Sequence, residues 1–128
     1  MTVRSRPISP HLQIYRWTIT MAMSIAHRAT GIANYLGTVL LVIWLGAAAW
    51  SPEGLETVNA IYGSWFGQLV LFGYTWSLVH HMLGGIRHFV WDMIQAMEPG
   101  QREGIAWANL VASVVITVLI WTLFVWMF

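Results

Sequence analysis

Three long stretches without a charged side chain constrain the fold of this chain more than any other feature. They are residues 29–52, 57–86 and 105–128. Each is longer than the roughly 20 helical residues needed to cross about 30 Å of hydrocarbon. We therefore predict an all-α integral membrane protein with three transmembrane helices, at about residues 24–50, 65–91 and 105–127.

The composition agrees with a membrane location and excludes several other classes. Charged residues make up 9% of the chain, hydrophobic residues 58%, and the mean hydropathy is +0.64, whereas soluble domains carry about 25% charged residues. Nine tryptophans suit the headgroup layers of a bilayer. The absence of cysteine excludes disulfides and any iron–sulfur cluster ligated by this chain. A net charge of +1 indicates no nucleic-acid surface.

Residues 1–128 are predicted to form a single membrane-anchor domain, with residues 1–23 as a cytoplasmic or interfacial segment. The segment alternates polar and aromatic groups, which suits either the membrane interface or a docking surface for a soluble partner. It lacks the apolar core of a secretory signal peptide, so we expect the first apolar helix to be retained. The bacterial inner membrane is the simplest location, and the mitochondrial inner membrane is less favoured.

The distribution of basic residues predicts the orientation of the helices. The first connector, residues 51–59, has no basic residue and carries Glu53 and Glu56. The six arginines all precede the first uncharged stretch or lie around the second connector: Arg4, Arg6, Arg16, Arg28, Arg87 and Arg102. By the positive-inside rule, the N-terminus is cytoplasmic and the C-terminus is on the outer side.

Two polar clusters interrupt the apolar helices, each with i, i+3, i+4, i+7 spacing on one helix face. The cluster on the first helix comprises Ser24, His27, Arg28 and Gly31. The cluster on the second comprises His81, Gly84, Gly85 and His88. Because the two helices are antiparallel, both clusters are expected near the cytoplasmic side. The glycines leave room for a partner helix or a flat macrocycle.

The helical rise predicts different depths for the histidines. If the second helix leaves the hydrocarbon near Trp91, His88 lies about 5 Å inside it and His81 about 15 Å inside it. His27 is expected level with His88. If the clusters hold a haem with two histidine ligands, both imidazoles must lie at a similar depth, so His27 is a poor partner for His81. A second axial ligand would then come from another chain. The spacing alone does not choose between His81 and its neighbour His80.

Other interpretations of the clusters remain open at this point. A histidine in a membrane helix often only forms a hydrogen bond to a neighbouring helix, and glycine stripes often only pack helices. The histidines could also form the proton path of a small transporter or channel. Against this, no carboxylate lies at mid-membrane and no internal repeat suggests alternating access. A packing subunit without a cofactor is the third possibility.

The chain resembles the cytochrome b membrane-anchor subunit of succinate dehydrogenase, respiratory complex II, over nearly its whole length. The resemblance rests on three motifs in order: Arg6-Pro7-Ile8-Ser9-Pro10-His11-Leu12, Ser24-Ile25-Ala26-His27-Arg28-Ala29-Thr30-Gly31, and His81-x-x-x-Gly85-Ile86-Arg87-His88 with Asp92. It implies one subunit of a hetero-oligomeric helix bundle that passes electrons from succinate to ubiquinone. An anchor subunit of a fumarate reductase is the alternative.

The resemblance also implies roles for individual residues. His81 corresponds to an axial ligand of haem b, with the second ligand supplied by a second, smaller anchor subunit. Ser24 and Arg28 correspond to residues of the ubiquinone site. His27 and Arg28 correspond to positions near the haem propionates, and the depth of His88 adds it to that region. The implied partners are this haem-ligating anchor subunit, an iron–sulfur subunit, a flavoprotein subunit and membrane lipid.

Overall fold

The computed structural model describes the backbone of residues 16–127 and the side chains of residues 16–124, and this part of the chain is all-α. The helices are α1 (Ile19–Trp50), α2 (Pro52–Gly63), α3 (Trp65–Asp92) and α4 (Pro99–Met127). The predicted all-α class is confirmed, but the described residues form four helices rather than three. Residues 1–15 of the predicted interfacial segment lie outside the described residues. The last part of that segment is helical, because α1 begins at Ile19.

Two serine residues, one at each end of α2, cap the starts of α2 and α3. Ser51 follows the last residue of α1 and accepts a hydrogen bond from the Gly54 backbone N–H (3.0 Å). Pro52 is the first residue of α2, where a missing N–H leaves no hydrogen bond unmade. Ser64 caps α3 in the same way, through the Gly67 N–H (3.1 Å). Because of these caps, the first predicted connector and the start of the second uncharged stretch form a helix of their own, separate from α1 and α3.

The short helix α2 folds back along the end of α1. The Tyr62 hydroxyl donates a hydrogen bond to the Leu40 carbonyl oxygen (2.8 Å), and the Trp44 indole N–H donates one to the Asn59 side-chain oxygen (3.0 Å). The uncharged stretch 57–86 is longer than one membrane span requires. A separate helix held against α1 takes up this excess length.

The interior of the bundle is polar and its surface is apolar. Among the described residues, the enclosed hydrophobic side chains are Met23, Val79 and Ala106. The enclosed polar or charged side chains are Thr30, Ser77, His80, Arg87, Asn109, Ser113 and Thr117. Large hydrophobic side chains point outward along all four helices. This distribution is typical of helices that contact lipid or other apolar subunits and use polar side chains to bridge one another.

Two described helices are long and apolar enough to cross a membrane, judged by length and composition. They are Ile19–Trp50, with a mean hydropathy of 1.8, and Pro99–Phe124, with a mean hydropathy of 2.0. The 28-residue helix α3 contains three histidines and an arginine, which lower its hydropathy. The role of α3 as a third span therefore stays a prediction.

Candidate functional site

Three histidines of the two predicted clusters meet where α1 packs against α3. The His27 and His81 rings are stacked, with centroids 4.0 Å apart and planes inclined by 14°. The His88 ring approaches His27 edge-on at 5.4 Å, and Trp91 approaches His88 at 5.3 Å. The structure therefore brings residues from both predicted stripes into one aromatic cluster.

Two glycines make this close crossing possible. A Cβ atom at Gly84 would overlap the His27 ring, and a Cβ atom at Gly31 would lie 3.1 Å from Cε1 of His81. Each helix thus places a histidine over a glycine of the other helix. Gly85 has no atom within 4 Å of its potential Cβ position in the described part of the chain, so it leaves open space beside the cluster.

The hydrogen bonds of His81 determine which ring nitrogen carries the proton. Nδ1 lies 3.0 Å from the His27 carbonyl oxygen and 3.4 Å from the Thr30 hydroxyl oxygen. A carbonyl oxygen can only accept, so Nδ1 must be the donor. In the neutral imidazole, Nε2 then keeps its lone pair. A backbone carbonyl on one nitrogen and a lone pair on the other is the usual state of a metal-ligating histidine.

His80 points in a different direction from its neighbour. It is 1% exposed, and its Nδ1 lies 3.1 Å from the Ser113 hydroxyl on α4. Its Nε2 is buried without a hydrogen-bond partner among the described residues, and the Trp76 ring lies 5.1 Å away. Enclosure between α3 and α4 excludes a large planar cofactor from His80, whereas His81 is only half-buried.

Ser24, Arg28 and His88 are exposed on the surface of this chain. Ser24 and Arg28 lie about one turn apart on α1 and are exposed, while His27 and Gly31 of the same stripe contact α3. The stripe predicted as one face therefore divides into an inner and an outer part. Its outer part is available to a ligand or to another subunit.

The depth expected for His27 is only partly right, because its ring approaches His88 but also stacks on His81. We expected it level with His88, but its ring lies over Gly84, between His81 and His88. The reason is that α1 begins at Ile19, which places His27 about 12 Å along the helix rather than at its entry. The two rings still cannot bind one iron from opposite sides. They are stacked face to face, so their ring nitrogens do not point at each other across a gap that an iron could occupy.

Sequence reasoning missed three polar residues that support this site. Thr30 is buried and donates to the Ala26 and His27 carbonyl oxygens (2.9 and 3.0 Å). Ser77 donates to the Thr30 carbonyl oxygen (3.0 Å) and lies 2.8 Å from the Asn34 side-chain oxygen. The available signal was helical spacing, since Ser77 precedes His81 by four residues and Asn34 follows Thr30 by four.

The cluster fits one axial contact to a haem better than an enclosed metal ion. Within the described residues, no group of three or more histidine, cysteine, aspartate or glutamate side chains could hold a metal ion. An apolar groove of about 360 Å³ between α1 and α3 begins about one turn further along α1 from Thr30 and is lined by Ala33, Leu36, Gly37, Leu40, Val70, Gly73 and Tyr74. The structure offers a single directed lone pair on His81 rather than a set of ligands, which suits one axial contact to a flat macrocycle.

Residues 2–126 match the protein family described as succinate dehydrogenase/fumarate reductase transmembrane subunit. The chain belongs to this family. Within it, the chain is 39% identical to the succinate dehydrogenase cytochrome b556 subunit of Paracoccus denitrificans over 90% of this chain and 88% of that protein. It is 34% identical to the cytochrome b556 subunit of Rickettsia prowazekii over 91% of this chain and 90% of that protein. It is 36% identical to the mitochondrial cytochrome b560 subunit of Bos taurus over 91% of this chain and 70% of that protein. The family membership predicted from the three motifs is confirmed.

Proposed function

We propose that the chain is the haem b-binding membrane-anchor subunit of a succinate:quinone oxidoreductase. Its relatives from two bacteria and from a mitochondrion are named as cytochrome b subunits of succinate dehydrogenase. These names support a subunit that does not itself oxidise succinate. A flavoprotein subunit and an iron–sulfur subunit would carry that chemistry, and this chain would hold them at the membrane.

The observation that carries the proposal is the hydrogen bond from His81 Nδ1 to the His27 carbonyl oxygen (3.0 Å). It fixes the ring orientation and leaves the Nε2 lone pair for an axial contact with haem iron. Haem b, when bound, supplies a one-electron redox centre. The Thr30 hydroxyl oxygen is a second acceptor for the Nδ1 proton. Both hydrogen bonds are therefore on the Nδ1 side of the ring, and the Nε2 side remains for the iron.

The charged and polar groups around His81 suit the propionates of a haem. His27 and His88 belong to the same cluster, and Arg28 follows His27 on α1. Imidazole N–H groups and a guanidinium form strong hydrogen bonds to carboxylates. We therefore assign His27, Arg28 and His88 to the propionate region, towards the end of α3 that carries Trp91.

One haem would be shared with a second small anchor subunit. Bis-histidine ligation needs two imidazoles on opposite faces of one iron. The histidines His27, His80 and His88 do not supply the second ligand, since His27 is stacked on His81, His80 is enclosed against α4, and His88 is on the same side of α3 as His81. A histidine from the neighbouring subunit would complete the site.

Ser24 and Arg28 would form part of the ubiquinone-reduction site. A quinone that gains electrons develops negative charge on its oxygens, and a guanidinium stabilises that charge. If the guanidinium contacts one quinone carbonyl oxygen, the Ser24 hydroxyl can donate a hydrogen bond to the second carbonyl oxygen or hold a water beside it. Both side chains are exposed and one helical turn apart, so one flat ring can contact both of them.

For the topology, we propose that α1, α3 and α4 span the membrane, with the N-terminus cytoplasmic and the C-terminus outside. The arginines support this orientation by the positive-inside rule, and the family is described as transmembrane. The proposed spans are about residues 24–50, 65–91 and 105–127 of one domain covering residues 1–128. Bacterial relatives favour the bacterial inner membrane.

The quinone assignment is tested with the purified complex by two assays of succinate oxidation. Ser24→Ala and Arg28→Gln are expected to lower ubiquinone reduction at least about tenfold, since each removes a donor to developing charge. Succinate oxidation by a soluble artificial acceptor should persist. Thr38→Ala and Arg102→Gln serve as matched controls, because both residues are exposed on α1 and α4. Equal loss of both activities, or unchanged ubiquinone reduction, would contradict the assignment.

A further inference from the structure

A second polar site lies between α3 and α4, whereas the histidine stack lies between α1 and α3. A groove of about 230 Å³ runs between the two helices near the connector that joins them. It is lined by Leu83, Ile86, Arg87, Val90, Ile105, Ala108, Asn109 and Ala112. Six of the eight lining residues are aliphatic, so Arg87 and Asn109 stand out as its two polar members.

Both polar residues are buried, and in the described part of the chain they carry side-chain atoms without a hydrogen-bond partner. Arg87 is 5% exposed, and its Nε and Nη1 atoms have no hydrogen-bond acceptor. Asn109 is 6% exposed, and its side-chain nitrogen and oxygen both lack a partner. Since a buried unpaired charge is costly, such a guanidinium normally has an anion beside it.

The geometry of Arg87 leaves the Nε and Nη1 atoms of its guanidinium without an acceptor among the described residues. The Trp91 ring lies 5.0 Å from the guanidinium carbon, so one face of the cation is covered by an aromatic ring. The N–H groups lie in the guanidinium plane and form a fork that matches two oxygens of a phosphate or carboxylate. The stack with Trp91 therefore orients the fork without using its hydrogen bonds.

The surroundings favour a lipid phosphate over a soluble anion. Arg87 lies about 7.5 Å along α3 from its end at Asp92, and Trp91 is a residue type that prefers the headgroup layer. The rest of the groove is aliphatic, and Ile86 on its edge is 51% exposed. A phosphate at Arg87 with an acyl chain in the groove would satisfy both the charge and the apolar lining.

We propose that the α3–α4 groove binds one anionic phospholipid, with its phosphate on Arg87 and Asn109 and an acyl chain along the aliphatic lining. A zwitterionic headgroup is disfavoured because it would bring a second cation close to Arg87. Asn109 can donate its N–H group to a phosphate or ester oxygen. The site is distinct from the residues assigned to haem and quinone, so it does not depend on those assignments.

Photolabelling of the assembled complex tests the proposal without requiring any variant. A phosphatidylglycerol with a photoactivatable acyl chain is added to the partly delipidated complex, and labelled peptides are identified by mass spectrometry. Labelling is expected within residues 83–90 and 105–112, and excess unlabelled phosphatidylglycerol should abolish it. An unlabelled groove, as expected if a carboxylate of a neighbouring subunit occupied Arg87, would overturn the proposal. Competition by inorganic phosphate equal to that by the lipid would also overturn it, by identifying a free-phosphate site.

Three variants then locate the headgroup. Arg87→Gln should weaken lipid competition at least about tenfold, because a charged hydrogen bond is lost. Asn109→Leu keeps the volume and should weaken it by about two- to tenfold. Arg102→Gln, an exposed arginine at the start of α4, should leave it unchanged. Unaltered lipid competition with Arg87→Gln would overturn the proposal; if that variant does not assemble, unaltered competition with Asn109→Leu has the same meaning.

Discussion

The contact between Gly84 and His27 predicts that the smallest possible enlargement of one residue disturbs the whole histidine cluster. A Cβ atom at Gly84 would overlap Cδ2 of His27 and lie 3.0 Å from its Nε2. The His27 ring cannot yield easily, because His81 is stacked on it at 4.0 Å and His88 lies edge-on at 5.4 Å. Gly84→Ala should therefore displace His27 and, through the stack, His81.

The magnitude follows from two opposing effects. Inserting a methyl group into a packed contact costs about 1–3 kcal/mol, while replacing glycine by alanine inside a helix gains about 1 kcal/mol. Gly104 on α4 is the matched control, since nothing in the described part of the chain lies within 4 Å of its potential Cβ position. Gly84→Ala should be less stable than Gly104→Ala by about 1–3 kcal/mol, the full cost of the overlap.

Thermal unfolding and haem content of the purified complex measure this difference. Gly84→Ala should lower the melting temperature and the ratio of haem to protein relative to Gly104→Ala. In a His27→Ala background the overlap is absent, so the same glycine substitution should no longer be harmful, as a double-mutant cycle can measure. Equal stability and equal haem content of the two glycine variants would refute this explanation of the contact.

Two further hydrogen bonds give predictions for stability alone. Ser113→Ala removes the partner of the buried His80 Nδ1 (3.1 Å) and should destabilise the complex by about 1–3 kcal/mol, measured as a lower melting temperature with unchanged haem content; loss of haem would contradict the separation of His80 from the cofactor. Tyr62→Phe removes the bond to the Leu40 carbonyl oxygen (2.8 Å) and should cost about 1 kcal/mol. A Tyr62→Phe complex as stable as the wild type would show that α2 does not depend on this contact.

Much of the fold could be predicted from the uncharged stretches, because membrane helices follow from length and hydrophobicity alone. The separate helix α2 could not be predicted, since it starts at the Ser51 cap inside the predicted connector and ends at the Ser64 cap inside the uncharged stretch 57–86. The meeting of His27 with His88 followed from helical spacing and antiparallel direction. The closer meeting of His27 with His81 was missed, because the start of α1 sets the depth of His27 and was placed five residues too late.

Long-range contacts distinguish two residues that helical spacing leaves equivalent. The two adjacent residues His80 and His81 are equivalent in periodicity, and only the position of Ser113 on α4 and of the His27 carbonyl oxygen on α1 separates them. The buried Arg87 was visible as a motif residue, but the lack of an acceptor for its Nε and Nη1 atoms depends on what the packed helices place beside it. Such pairings are properties of the packed helices and have no signal in local sequence.

The measurement that tests the central proposal most directly is the reduced-minus-oxidised absorption spectrum of the purified complex with matched substitutions at two adjacent histidines. His81→Gln removes the directed Nε2 lone pair and should abolish the b-type signal. His80→Gln alters a side chain enclosed against α4 and should leave the signal in place. A b-type signal that survives His81→Gln unchanged, or one that is lost only with His80→Gln, would contradict the assignment of His81 as the haem ligand.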